Sequence, residues 1–172
     1  MKEETLPKIL ESQVLIRFED CDPFGHLNNG RFIDYFTNAR EDQVREYYSF
    51  DVYKHIKQNG KGWVVTSNQV QYIREVKFME TKTIRTCLRW YTATDLQVEG
   101  QMVDPETNTV LAIIWTRLTY IDLKKGGRTD HGQDLMKLYK SIAVFGEGKQ
   151  PQTFEDRVKE IRAEQTAQHQ TK

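Results

Sequence analysis

Apolar residues along this chain recur at intervals of two in four stretches and of three or four in two others, and that contrast predicts most of its elements. Val14, Ile16 and Phe18 alternate with Leu15, Arg17 and Glu19, which reads as a strand over residues 12–19. Phe32, Tyr35, Phe36, Ala39 and Tyr47 then share one face of a helix over 30–48. A polar, glycine-bearing connection at 57–62 closes the helical region. In 63–78 the even positions Val64, Val70, Tyr72, Val76 and Phe78 are apolar, giving a half-buried strand with a polar interruption at 66–68.

The stretches 82–91 and 96–104 repeat the alternation, each with one apolar face and one wet face that carries Cys87 and Arg89, or Gln97, Glu99 and Gln101. Asp104, Pro105 and Asn108 mark a turn that joins 96–104 as a hairpin to a strand over 109–122. That strand is apolar at nearly every position through Trp115, as expected of a central strand covered on both faces. Leu135, Leu138, Tyr139 and Ile142 predict a shorter helix capped by Thr129 or Asp130. Beyond the break at 146–151, only Phe154, Val158 and Ile161 interrupt a charged, glutamine-rich tail, read as a marginal helix fraying into disorder. The layout is a charged lead-in (1–11), one α+β domain (12–145) in which a curved antiparallel sheet of about five strands wraps one long helix, and a polar tail (146–172).

Composition changes this picture little. A chain of 172 residues suits one domain that buries roughly two thirds of its unfolded surface. With 25 basic and 25 acidic residues it carries no net charge, so composition gives no reason to expect nucleic acid as a partner. No apolar stretch approaches the roughly 20 residues of a membrane span, and no signal-like segment opens the chain, so a cytoplasmic location is expected. Cys21 and Cys87 are then expected as free thiols.

The chemistry concentrates in one loop, Asp20-Cys-Asp-Pro-Phe-Gly-His-Leu-Asn-Asn-Gly30, between the first strand and the long helix. Carboxylates beside the N–H groups at a helix start suit a substrate that develops negative charge. Each residue also has a purely structural reading. Asp22 before Pro23 can form an Asx-turn, Asp20 can pair with Arg17 or a loop N–H, His26 can tie the loop together, and Asn28 and Asn29 can cap the helix. His55, His131 and His169 fit surface positions. The loop fails as a calcium site, with Phe24 and Arg31 where oxygen ligands belong, and no Cys or His pair has zinc spacing. Cys21 is disfavoured as a nucleophile by the flanking carboxylates.

The segment from Arg17 to Arg40, with Asp-x-Asp-x-x-Gly-His-x-Asn-Asn followed by an aromatic helix ending in Ala39-Arg40, resembles the acyl-CoA thioesterases of the 4-hydroxybenzoyl-CoA thioesterase type. The likeness continues more weakly to about residue 130. It implies the hotdog fold, hydrolysis of an acyl-CoA to free CoA and a carboxylic acid, and no cofactor, CoA being part of the substrate. By resemblance, Asp22 is the catalytic carboxylate, acting as nucleophile or general base. The Asn29 backbone N–H polarises the thioester carbonyl, His26 assists, and Gly25 and Asn28 contact the substrate. It also implies a homodimer or homotetramer with sites built from two subunits. A non-catalytic thioester-binding or oligomerisation protein shares the fold, and a hydratase would need His26 paired with Asp22.

Overall fold

The computed structural model describes residues 5–148 and 151–170. The first four residues, residues 149–150 in the expected break, the last two residues and the side chains of Gln168, His169 and Gln170 lie outside the described residues. Five antiparallel strands, β1 (Ile9–Leu15), β2 (Lys61–Tyr72), β3 (Thr81–Tyr91), β4 (Asp95–Val103) and β5 (Val110–Asp122), form one sheet in the order β1-β3-β4-β5-β2. The long helix α1 (Arg31–Tyr48) lies across one face, the α+β hotdog arrangement expected from the sequence.

The helix is seated by an apolar stripe. Phe32, Phe36 and Ala39 are buried against Ile84, Met102, Ala112 and Ile114 of the sheet. Gly100 of β4 makes the close approach possible, because a Cβ there would stand 2.8 Å from the Phe36 ring and 2.9 Å from Ile114. The next position on the stripe is Gln43, which is fully buried, whereas Tyr47 is exposed. The Gln43 amide is satisfied by donating to Ser12 Oγ at 2.8 Å and the Ile84 carbonyl at 2.9 Å, so its polarity costs little.

Several boundaries differ from the sequence reading. The first strand sits earlier, at Ile9–Leu15, and Phe18–Asp20 forms a 3₁₀ turn that leaves Phe18 in solvent. Leu6 packs on the core and the Pro7 carbonyl accepts from Tyr48 Oη at 2.7 Å, so the lead-in is tied down from residue 6. Ser49, with φ of 51°, ends α1, and a separate short helix α2 (Val52–Asn59) follows, capped by the Asp51 carboxylate on the Lys54 N–H. The second predicted strand, over 63–78, stops at Tyr72, and residues 73–80 turn back to pair with the motif loop. Helix α3 (Gln133–Ile142) starts after Gly132 without a side-chain cap from Thr129 or Asp130.

The largest correction concerns the outer face of the sheet. The tail folds as a helix α4 (Phe154–Gln170), and Phe154, Val158 and Ile161 are buried on Val103, Val110, Ile113 and Trp115. The supposedly wet face of β3 and β4 is therefore covered, with Arg89, Gln97, Glu99 and Gln101 all buried. The Glu99 carboxylate holds this layer together by accepting from Arg89, Trp115 and Gln101, each at 2.7 Å, and from Arg157 of α4 at 3.3 Å. A buried carboxylate is tolerable only with such a full set of donors. Among the described residues no helix is long and apolar enough to cross a membrane.

Docking of α4 has a direct thermodynamic consequence. Ile161→Ala should lower unfolding free energy in urea by about 2–5 kcal/mol, the usual cost of emptying a buried branched site. A loss below about 0.5 kcal/mol, as for ordinary surface positions, would show α4 undocked in solution.

Candidate functional site

The loop between β1 and α1 closes as a tight antiparallel hairpin. The Asp22 N–H donates to the His26 carbonyl at 2.8 Å, Cys21 pairs with Leu27, and the Asn28 N–H donates to the Asp20 carbonyl at 2.9 Å. Gly25 turns the tip with φ of 77°, a left-handed conformation that disfavours any side chain. Its returning arm is clamped from outside, the Leu27 N–H donating to the Val76 carbonyl at 2.7 Å and the Phe78 N–H to the Gly25 carbonyl at 3.2 Å.

The two aspartates are separated by their partners. Asp20 is engaged through both oxygens: Oδ2 accepts from Tyr35 Oη at 2.8 Å, and Oδ1 lies 3.4 Å from Arg31 Nε. Arg17, its expected partner, instead donates its backbone N–H to Tyr35 Oη at 3.0 Å. Asp22 forms the Asx-turn with Oδ1 alone, accepting from the Phe24 N–H at 2.9 Å and the His26 N–H at 3.0 Å. Oδ2 of Asp22 has no hydrogen-bond partner among the described residues. One oxygen thus fixes the carboxylate while the other stays free.

The helix start is built differently from expectation. Gly30 occupies the N-cap, and Asn28 Oδ1 accepts from the Gly30 N–H at 3.0 Å. Asn29 caps nothing with its side chain, its carbonyl accepts from Tyr72 Oη at 2.8 Å, and its N–H has no partner among the described residues. The hairpin brings Asp22 beside His26 and Asp20 beside Asn28; no hydrogen bond joins Asp22 to Asn28 or Asn29. The His26 imidazole turns away from Asp22 to Glu75, with Nε2 at 3.3 Å from the carboxylate, so no His26–Asp22 dyad of the hydratase kind is formed.

Around the loop the surface is mixed. A polar cleft beside it is lined by Asp20, Cys21, Asn28, Gly30, Arg31 and Asp34. Burial first, and then the Asp20 and Asp22 carboxylates, push the Cys21 thiol above its ordinary pKa, which opposes thiolate chemistry there. Phe18, Phe24, Phe78 and Met79 are exposed nearby, Phe24 at 83%. Among the described residues no cluster of three or more His, Cys, Asp or Glu side chains could hold a metal ion.

Two histidines read as surface residues are part of an aromatic stack. His131 is buried and accepts from Trp63 Nε1 at 3.0 Å, and His55 Nε2 lies 2.7 Å from Tyr120 Oη. Burial lowers the pKa of both, consistent with a neutral His131 serving as acceptor. Sequence reasoning also missed an apolar cavity between α1, α3 and the sheet; its one sequence signal was Arg40, a charge standing within the helix's inward-facing turn.

A family model described as the thioesterase-like superfamily matches residues 16–167. Among solved structures, a protein provisionally assigned as an oleoyl thioesterase from Lactobacillus plantarum superposes with a TM-score of 0.74 at 21% identity, over 85% of this chain and 54% of that one. The chain thus spans about half the length of that protein. Protein SAV2348 from Staphylococcus aureus, solved in complex with CoA, gives a TM-score of 0.70 at 10% identity, over 88% and 94% of the two chains. The 1,4-dihydroxy-2-naphthoyl-CoA thioesterase Slr0204 from Synechocystis gives 0.69 at 12% identity, over 78% and 95%. At these identities the superpositions establish the shared fold.

The Asx-turn geometry separates two roles of Asp22 by substitution. Asp22→Ala removes the acceptor for two backbone N–H groups and should lower urea-unfolding free energy by about 1 kcal/mol. Asp22→Asn keeps an oxygen at that place and should lie within about 0.5 kcal/mol of the parent. Equal losses in the two variants would show that the turn does not depend on Oδ1.

Proposed function

Since the chain belongs to the thioesterase-like superfamily, we propose that it hydrolyses an acyl-CoA thioester, in the manner of the 4-hydroxybenzoyl-CoA thioesterase type. What supports this reading is that one loop carries both an Asp22 carboxylate oxygen and an Asn29 N–H that have no partner among the described residues, and that this loop runs straight into an 18-residue helix. In this reading the thioester carbonyl oxygen lies on the Asn29 N–H, where the positive end of the helix dipole favours the developing oxyanion. Asp22 Oδ2 then attacks the carbonyl carbon, giving a mixed anhydride and CoA thiolate, or takes a proton from the attacking water. Its neighbour oxygen, tied to two N–H groups, keeps the carboxylate from rotating away. Asn28 and Gly25 shape the loop that presents it, and the His26–Glu75 contact braces the returning arm.

Self-association follows from the same reading. Strand β2 ends the sheet, and residues 64–69 on it are exposed, including Val65 at 54%. A long edge with unpaired N–H and C=O groups invites a second copy to continue the sheet, giving an isologous homodimer. The exposed Phe18, Phe24, Phe78 and Met79 around the motif loop offer apolar surface to a partner subunit or to the acyl group. Higher assembly through the outer face of the sheet is obstructed by α4, so a homotetramer would have to use other surfaces.

Thiol release from a panel of aliphatic and aromatic acyl-CoAs tests the chemistry. Asp22→Asn should lower kcat by about 10²–10⁴ with near-parental stability. Equal release by both proteins would overturn this assignment, and acyl-CoA binding without release by the parent would favour a non-catalytic thioester binder.

The dimer edge can be tested at the β2 bulge. Thr66 is skipped in the register between β2 and β5, so Thr66→Pro should spare that ladder while spoiling the free edge. Sedimentation should show the mass of one chain instead of two, and a dimer unchanged by the substitution would place the interface elsewhere.

A further inference from the structure

The apolar cavity between α1, α3 and the sheet has a volume of about 270 Å³, near the roughly 300 Å³ at which ligand pockets begin. Phe36, Val44, Leu88, Leu96, Ile114 and Leu118 supply apolar wall. None of residues 20–30 lines it. Within this wall stand two groups whose bonding is incomplete. Tyr139 is 5% exposed, and its buried hydroxyl, near Trp63, makes no well-formed hydrogen bond among the described residues. Arg40 is half-buried and places Nη1 on Thr86 Oγ1 at 3.1 Å, with its guanidinium carbon 5.9 Å from the centre of the Tyr48 ring.

Arg40 forms no ion pair among the described residues. Its neighbour Glu41, also on the cavity wall, accepts from Tyr53 Oη at 3.2 Å at the surface. A guanidinium has five N–H donors, and one placed against apolar wall without an anion is costly. Burial pulls its pKa below the ordinary guanidinium value, and the Tyr48 hydroxyl offsets only part of that effect. The group is nevertheless held in place. Thr86, which accepts from Arg40, donates to Gln43 Oε1, and Gln43 is anchored to Ser12 and the Ile84 carbonyl. A chain of hydrogen bonds thus fixes a charged donor and leaves it facing the cavity beside an unpartnered hydroxyl.

We propose that this cavity binds a carboxylate carried on a short hydrocarbon chain or single ring, with Arg40 and Tyr139 on the carboxylate and the apolar wall on the hydrocarbon. A carboxylate supplies only acceptors and one negative charge, matching what the two side chains lack. A neutral ligand of the same shape satisfies neither need, and a bare inorganic anion leaves the apolar wall empty. Arg40 lies nine residues beyond the first residue of α1, about 14 Å along the helix, so the site is distinct from the motif loop. The carboxylate can be that of a free acid or the far end of a dicarboxylic acyl group, and the second source alone rests on the thioesterase reading.

Calorimetric titration of the whole chain with sodium octanoate and with octanol tests the site without turnover. The parent and Asp22→Asn should bind octanoate alike, and octanol at least tenfold more weakly. Arg40→Met should weaken octanoate at least tenfold, and Tyr139→Phe severalfold, with cooperative thermal unfolding retained. Octanol binding to the parent as tightly as octanoate, or neither binding, would overturn the proposal whatever the variants do. Thiol release from suberyl-CoA then separates the sources. A KM raised by Arg40→Met for suberyl-CoA and unchanged for octanoyl-CoA assigns the carboxylate to the acyl chain. Unchanged KM with lost octanoate binding assigns it to the free acid.

Discussion

The close seat of α1 on the sheet is the contact on which the rest of the molecule depends. Phe36 rests where Gly100 has no side chain, and Phe32, Ala39 and Gln43 continue the line of contact on either side. Because a packed core tolerates little displacement, this fixes the height and rotation of the helix. With the helix so placed, the Asn29 carbonyl just before it meets Tyr72 Oη and Arg40 lines the cavity against the sheet. A methyl group at position 100 would lift the helix or bend the Phe36 ring, moving both places at once.

The opposite face of the sheet is closed by a different kind of interaction. There the apolar contacts of Phe154, Val158 and Ile161 are joined by a carboxylate, Glu99, whose donors come from β3, β4, β5 and α4. Removing one member of such a set leaves the others buried without compensation, so the network specifies this helix and this register in preference to a loosely packed tail. With one face given to α1 and the other to α4, the free surfaces of the sheet are its edges, above all β2.

Much of the fold was legible because its strongest signals are periodic. The stripe from Phe32 to Ala39, the apolar run in β5 and the turn at Asp104 to Asn108 all lie where pattern and turn chemistry put them. What failed was the inference from polarity to exposure. Arg89, Gln97, Glu99 and Gln101 alternate with apolar residues as a solvated face would, yet all are buried, and Arg89, Glu99 and Gln101 are joined by hydrogen bonds that no local pattern encodes. The same blindness hid Gln43 on the helix stripe and His131 in the aromatic stack. At the motif loop the residue types were readable, while the division between an engaged Asp20 and a half-free Asp22 depends on Tyr35 and Arg31, fifteen and eleven residues along the chain.

That division leaves Asp22 able to build a turn and, in the proposed reaction, to act on a substrate as well. A carboxylate has two oxygens with separate lone pairs, so the Phe24 and His26 N–H groups on Oδ1 do not consume Oδ2. Binding through one oxygen orients the other and removes the rotational freedom that a surface aspartate would lose on meeting a substrate. Arg40 follows the same logic farther along α1, with Nη1 held by Thr86 and the side chain lining the cavity. In both places the fold fixes a polar group through part of its bonding capacity and leaves the remainder unpartnered among the described residues.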